Sequence, residues 1–173
     1  MNTDSKKRYG RVSIFLHWSM ALLITWQLLK FADRISDGEH WVGQNLVPWH
    51  VSIGILLLVL IVLRLLWAAT QRHQRPLHDS KNAKLVKAGH SLLYACMLLM
   101  PLTGIMVMLG GGYGITAFGV ELVVKGDEMA WAATLGELHS PLAWLLAALI
   151  IGHTAMALTH HFYYRDDTLT RML

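Results

Sequence analysis

Four stretches of this 173-residue chain are apolar for long enough to cross a lipid bilayer. A helix needs about 20 apolar residues to span the hydrocarbon core. The runs lie at about 12–31, 47–69, 88–109 and 140–163. Helices are the one sensible choice for them, because lipid offers no partner to a backbone N–H or C=O. The expected fold class is all-α: an integral membrane four-helix bundle, read as one domain over 1–173. The chain is 54% hydrophobic and has no Pro/Ser-rich linker that would divide it. Pro48 suits a first helical turn. Pro101 predicts a kink in the third helix, and Ser140–Pro141 reads as an N-cap followed by proline. The connection 110–139 opens with Gly110, Gly111, Gly112 and Gly114, which predicts a turn, then a short interfacial helix around 129–136.

The charges orient the bundle. Of 15 Lys and Arg residues, all but Lys30, Arg34 and Lys125 fall on one side, at the ends, in the middle connection and, for Arg64, near the close of the second run. Cytoplasmic loops collect such residues, so both termini are expected in the cytoplasm of a multi-pass protein. The segment 1–11 is polar, and no small-residue cleavage site follows the first apolar run, so no cleavable signal is expected. The net charge of +4 does not indicate nucleic-acid binding, because the basic residues cluster at membrane edges. Cys96 is the sole cysteine and no C-x-x-C-H motif occurs, so any haem is held noncovalently.

Ionisable side chains at membrane depth are costly and mark function. Ten histidines occur, and several sit inside the apolar runs. His139 and His153 are separated by 14 positions on the fourth helix. That spacing is a rise of about 21 Å, and the two rings return to within about 40° of one face. One helix thus offers a ligand to each of two flat cofactors stacked across the membrane. Depth matching pairs His50 with His139 near the outer edge and His17 with His153 in the inner half. Gly54 and Gly152 would make room. Two imidazoles per haem iron leave no open position, which favours electron transfer over oxygen binding. The plainer alternative for each histidine alone is a helix–helix hydrogen bond. His90, near the inner edge, either replaces His17 or faces headgroups. His40, His73 and His78 read as solvated loop residues. His160–His161, at the cytoplasmic interface, suits a hydrogen bond to a quinone carbonyl and proton transfer, with Arg11 and Ser13 at the same level.

Several runs carry a family resemblance: "LHW" around His17, "WHVSIGILLLVLIVLRLLW" from Trp49, "GHSLLYACMLLMPLTGIMVM" from Gly89, "ITAFG" from Ile115, and the end from Glu137. From about Arg8 to Leu173 the chain resembles the bacterial cytochrome b561 family. That resemblance implies a four-helix, inner-membrane protein with two b-type haems ligated by His17, His50, His139 and His153. It also implies electron exchange with ubiquinone. One kind of member takes its electron from periplasmic superoxide and reduces ubiquinone near the cytoplasmic side, a superoxide:ubiquinone oxidoreductase. The expected partners are therefore lipid, ubiquinone and superoxide or another periplasmic donor, with no nucleic acid. Acidic residues outnumber basic ones on the outer loops, however, which opposes attraction of an anion. An alternative is a cytochrome b subunit or carrier serving a periplasmic dehydrogenase or hydrogenase-type partner. A third reading, from another class, is a haem-free membrane protein that binds transition metals through its histidines.

Overall fold

The computed structural model describes residues 2–32, 40–76 and 83–173. Arg34 and His78, named above, lie outside the described residues.

Four long helices form: α1 (Arg11–Leu28), α3 (His50–Gln71), α4 (Ala83–Gly110) and α6 (His139–Thr159). Shorter elements join them. A 3-10 turn (Leu29–Ala32) extends α1, and helix α2 (Trp41–Asn45) with a second 3-10 turn (Val47–Trp49) leads into α3. Strands β1 (Ile115–Ala117) and β2 (Val120–Val123) make an antiparallel hairpin after α4, followed by α5 (Ala130–Gly136). A π-helical turn (His160–Tyr164) ends α6.

Among the described residues, four spans are long and apolar enough to cross a membrane. Only 22, 17, 11 and 6% of the most apolar window of each, in chain order, is buried inside the protein. Apolar surface of that extent belongs against lipid. The protein is a membrane four-helix bundle.

Several details differ from expectation. Helix α4 begins at Ala83, five positions before the expected start, and holds Pro101 in its interior. Helix α6 starts at His139 with Leu138 as its N-cap, so Ser140 is an in-helix residue rather than the cap, and Pro141 still lies within the first turn, where no N–H is required. His40 is not a free loop residue: its ring accepts from Gly43 N–H at 3.0 Å and caps α2. The hairpin in 115–123 was not foreseen. Its two-residue turn, Phe118–Gly119, has φ of 52° and 81°. Positive φ at both central positions is what a tight hairpin turn requires.

Close helix packing joins α1 to α3, α3 to α4 and α4 to α6. Helix α5 lies along the end of α4, where Gly110 meets the backbone of Ala133; a Cβ at Gly110 would approach it to 2.5 Å. Between α6 and the α1/α3 side, rings reach across instead: His17 to His153, His50 to His139, and Phe31 to Trp144. The dry centre is made by Met20, Ile24, Ile53, Leu57, Ile61, Cys96 and Leu146. On α3 these are successive turns of one stripe, the helical period of a buried face. Leu146 lies midway between His139 and His153, so the apolar cluster separates two histidine levels.

The amino-terminal segment is fastened by Asp4, whose side chain is fully buried. Its carboxylate accepts from Gly10 N–H at 2.9 Å, Ser13 Oγ at 2.6 Å and Arg75 Nε at 3.2 Å. Gln71 Oε1 accepts from Asp4 N–H at 3.1 Å. These contacts tie the chain before α1 to the end of α3.

Candidate functional site

At the level expected to be outer, His50 opens α3 and His139 opens α6, with ring centroids 6.0 Å apart and planes crossed at 86°. Nδ1 of His139 lies 3.1 Å from the carbonyl oxygen of Met100 and 3.2 Å from Thr103 Oγ1. A carbonyl only accepts, so Nδ1 carries the proton and Nε2 keeps its lone pair. An outer hydrogen bond of this kind orients a metal-ligating histidine. Gly104 makes the approach possible: a Cβ there would sit 3.2 Å from Cε1 of His139. On the other side, Gln27 Nε2 donates to the His50 carbonyl at 2.9 Å, while Gln27 Oε1 is buried without a partner. Gly54 lies beneath Gln27, and Gly152 on α6 faces open space.

At the level expected to be inner, each of the four long helices contributes at least one polar side chain. His17 (α1) and His153 (α6) have centroids 6.2 Å apart at 63°, and His90 (α4) stands 5.5 Å from His153. Arg64 (α3) reaches His17 Nδ1 with Nη2 at 3.1 Å. Nδ1 of His90 lies 2.8 Å from the carbonyl of Val86 one turn earlier, and His90 is exposed. The structure thus brings together the two expected pairs at two depths and adds His90 beside the inner one.

The pair spacing tests the fit of a haem. Two imidazoles that grip one iron from opposite faces, through metal–nitrogen bonds of about 2 Å, have centroids about 6 Å apart. Both pairs meet that spacing. A small bare ion is less well served: among the described residues no three His, Cys, Asp or Glu side chains converge as a ligand group.

The end of the bundle that holds both chain termini carries the other candidate residues. Nδ1 of His160 contacts Asp166 Oδ2 at 2.5 Å, and Asp166 Oδ1 accepts from Thr168 N–H at 2.9 Å. The hydrogen bond from His160 holds the Asp166 carboxyl down at about 2. Arg11 is exposed at the first turn of α1, whereas Ser13 is buried, donating to Asp4 and accepting from Trp67 Nε1 at 2.9 Å. Asp166, Arg64 and Gly104 were not singled out from sequence. For Arg64 a signal existed, since an arginine more than a turn inside an apolar run needs a reason.

The profile of prokaryotic cytochrome b561 matches residues 8–173. The chain belongs to the prokaryotic cytochrome b561 family. It is 33% identical to cytochrome b561 homolog 2 of Escherichia coli strain K12, over 99% of this chain and 94% of the relative. It is 31% identical to the probable superoxide oxidase CybB of Yersinia pestis, over 96% of each. Cytochrome b561 homolog 1 of the same E. coli strain is 29% identical over 96% of this chain and 97% of its own length. Family membership makes this a bacterial membrane protein of electron transfer, and it implies b-type haem. The paired imidazoles are the donors such a haem needs.

Proposed function

We propose that this protein binds two noncovalent b-type haems and passes electrons from a periplasmic donor, superoxide foremost, to ubiquinone near the cytoplasmic side of the bacterial inner membrane. The observation that carries it is the pair of crossed imidazole couples, 6.0 and 6.2 Å apart, at two depths. When bound, each bis-imidazole haem supplies one-electron exchange with no vacant coordination position.

The residues of the chain do the rest. His50 and His139 hold the outer haem, with Met100 and Thr103 setting the His139 ring. His17 and His153 hold the inner one. The apolar layer around Leu57, Ile61 and Leu146 keeps water from the space between them. Both termini face the cytoplasm. There Asp166 accepts the His160 Nδ1 proton and turns Nε2 toward the quinone, where it accepts from a hydroquinone O–H and, when protonated, donates to a quinone carbonyl, and Arg11 lies at the same level. Ser13, committed to Asp4 and Trp67, supports that surface from beneath. Two superoxide ions give one electron each and leave as oxygen, while ubiquinone takes two electrons and two protons.

A second reading has a specific observation in its favour. The outer face exposes Glu121, Asp127, Glu128 and Glu137 beside Lys125, and the hairpin turns Phe118, Val120 and Leu122 outward. A negative, partly apolar face suits a docked periplasmic protein better than a free anion. A pulse of superoxide with absorbance detection separates the two. Rapid growth of a reduced low-spin α band supports superoxide as donor. A spectrum that stays oxidised, in protein that dithionite does reduce, favours a protein donor.

A further inference from the structure

Arg64 stands beside the inner histidine pair with no role in haem ligation. It lies on α3, 14 positions after His50 and within the apolar run, a depth at which a guanidinium is costly. Its partners are all neutral: His17 Nδ1 at 3.1 Å, Tyr94 Oη at 3.2 Å, Met20 Sδ at 3.9 Å and the face of the Tyr94 ring. The ion pairs among the described residues are Arg75 with Asp4 and His160 with Asp166, so no described carboxylate serves Arg64. A guanidinium so placed presents a fork of N–H donors that matches a carboxylate.

Proton arithmetic gives a second reason. A guanidinium only donates, so His17 Nδ1 accepts from it. A neutral imidazole with an accepting Nδ1 carries its proton on Nε2 and has no lone pair there for a metal. Ligation through Nε2 therefore requires Arg64 to find another acceptor. Nδ1 of His139, by contrast, already faces a carbonyl.

We infer that Arg64 binds a carboxylate of the inner cofactor. Haem b brings two propionate carboxylates, the class of anion this guanidinium lacks. Pairing with one of them satisfies the buried charge and releases His17 Nδ1 to become a donor, so the same contact that neutralises Arg64 completes the ligand. This inference rests on the di-haem reading, and it makes Arg64 a binding residue selective for a carboxylate-bearing porphyrin.

The test compares haem b with its dimethyl ester, which keeps the ring and iron and lacks both charges. Each is titrated into full-length protein expressed without haem, as wild type, Arg64→Gln and Arg64→Lys, and binding is followed by Soret absorbance. The wild type is expected to bind one equivalent of haem b at least about tenfold more tightly than the ester, the size of one charge-assisted bond. Arg64→Gln is expected to lose that preference and Arg64→Lys to keep most of it. Equal loss for haem b and ester in Arg64→Gln, or a wild type that takes both porphyrins alike, overturns the inference. If Arg64→Gln fails to fold, the wild-type and Arg64→Lys titrations decide alone. Failure of the wild type to take up any porphyrin would instead refute the di-haem reading.

Discussion

The imidazole of His139 is held by Met100, Nδ1 to carbonyl oxygen at 3.1 Å, across the gap between α6 and α4. The contact exists because Gly104, one turn beyond Met100, presents no side chain to the ring. Gly104→Ala would bring a Cβ to 3.2 Å from Cε1, which a shift of a few tenths of an ångström absorbs. Gly104→Val would not fit without moving His139. The expected result is loss of one haem from Gly104→Val, with near-normal content in Gly104→Ala. Haem-to-protein ratio on purified protein measures both.

His90 and His17 compete for the inner role in any account based on depth alone. His90 is exposed, and its ring stands 5.5 Å from that of His153, closer than the about 6 Å of two imidazoles on one iron. Replacement with alanine is expected to leave both haems in place, whereas His17→Ala should remove one. Retention in His17→Ala with loss in His90→Ala would reassign the inner ligand.

Asp4 gathers three hydrogen bonds on a fully buried carboxylate, and one of them comes from Arg75. Truncation would leave that guanidinium and the Ser13 hydroxyl without their acceptor. Asp4→Ala is expected to cost about 2–4 kcal/mol, the range for stripping one partner from a buried, partly solvated ion pair. Thermal unfolding in detergent should show a lower midpoint, with haem ratio at low temperature unchanged.

The pairing of Asp166 with His160 has a defined pH window. The folded carboxyl sits at about 2, below its ordinary 3.8. A depressed carboxyl contributes stability above its unfolded value and loses it as pH falls through the folded one. The tail after α6 should therefore stay docked at pH 5–8 and loosen only below about pH 4. Trp18 reports this, because its indole N–H donates to the Met172 carbonyl at 2.8 Å. Its fluorescence should hold steady until that acid range, and Asp166→Asn should remove the transition.

The bundle was legible because lipid leaves a long apolar run a single hydrogen-bonding solution, and His139–His153 spacing on one helix is pure geometry. The elements that escaped depend on short-range detail. The hairpin is seven residues of strand around Phe118–Gly119, a turn signal masked by the glycines before it. It also depends on docking, through Phe118 N–H to Ser52 Oγ at 3.0 Å. Asp4 lies in a polar leader that reads as solvated, and only the fold reveals that it is buried beneath Arg75. Arg64 entered the charge count as one more inner residue. Its significance came from the neutral company it keeps.

The central claim is that four imidazoles hold two haems, and haem stoichiometry tests it most directly. A pyridine haemochrome assay on purified full-length protein should give two haems per chain. His50→Ala and His153→Ala, from opposite levels, should each fall to one. One haem or none in the wild type, or an unchanged ratio in both variants, would contradict the account.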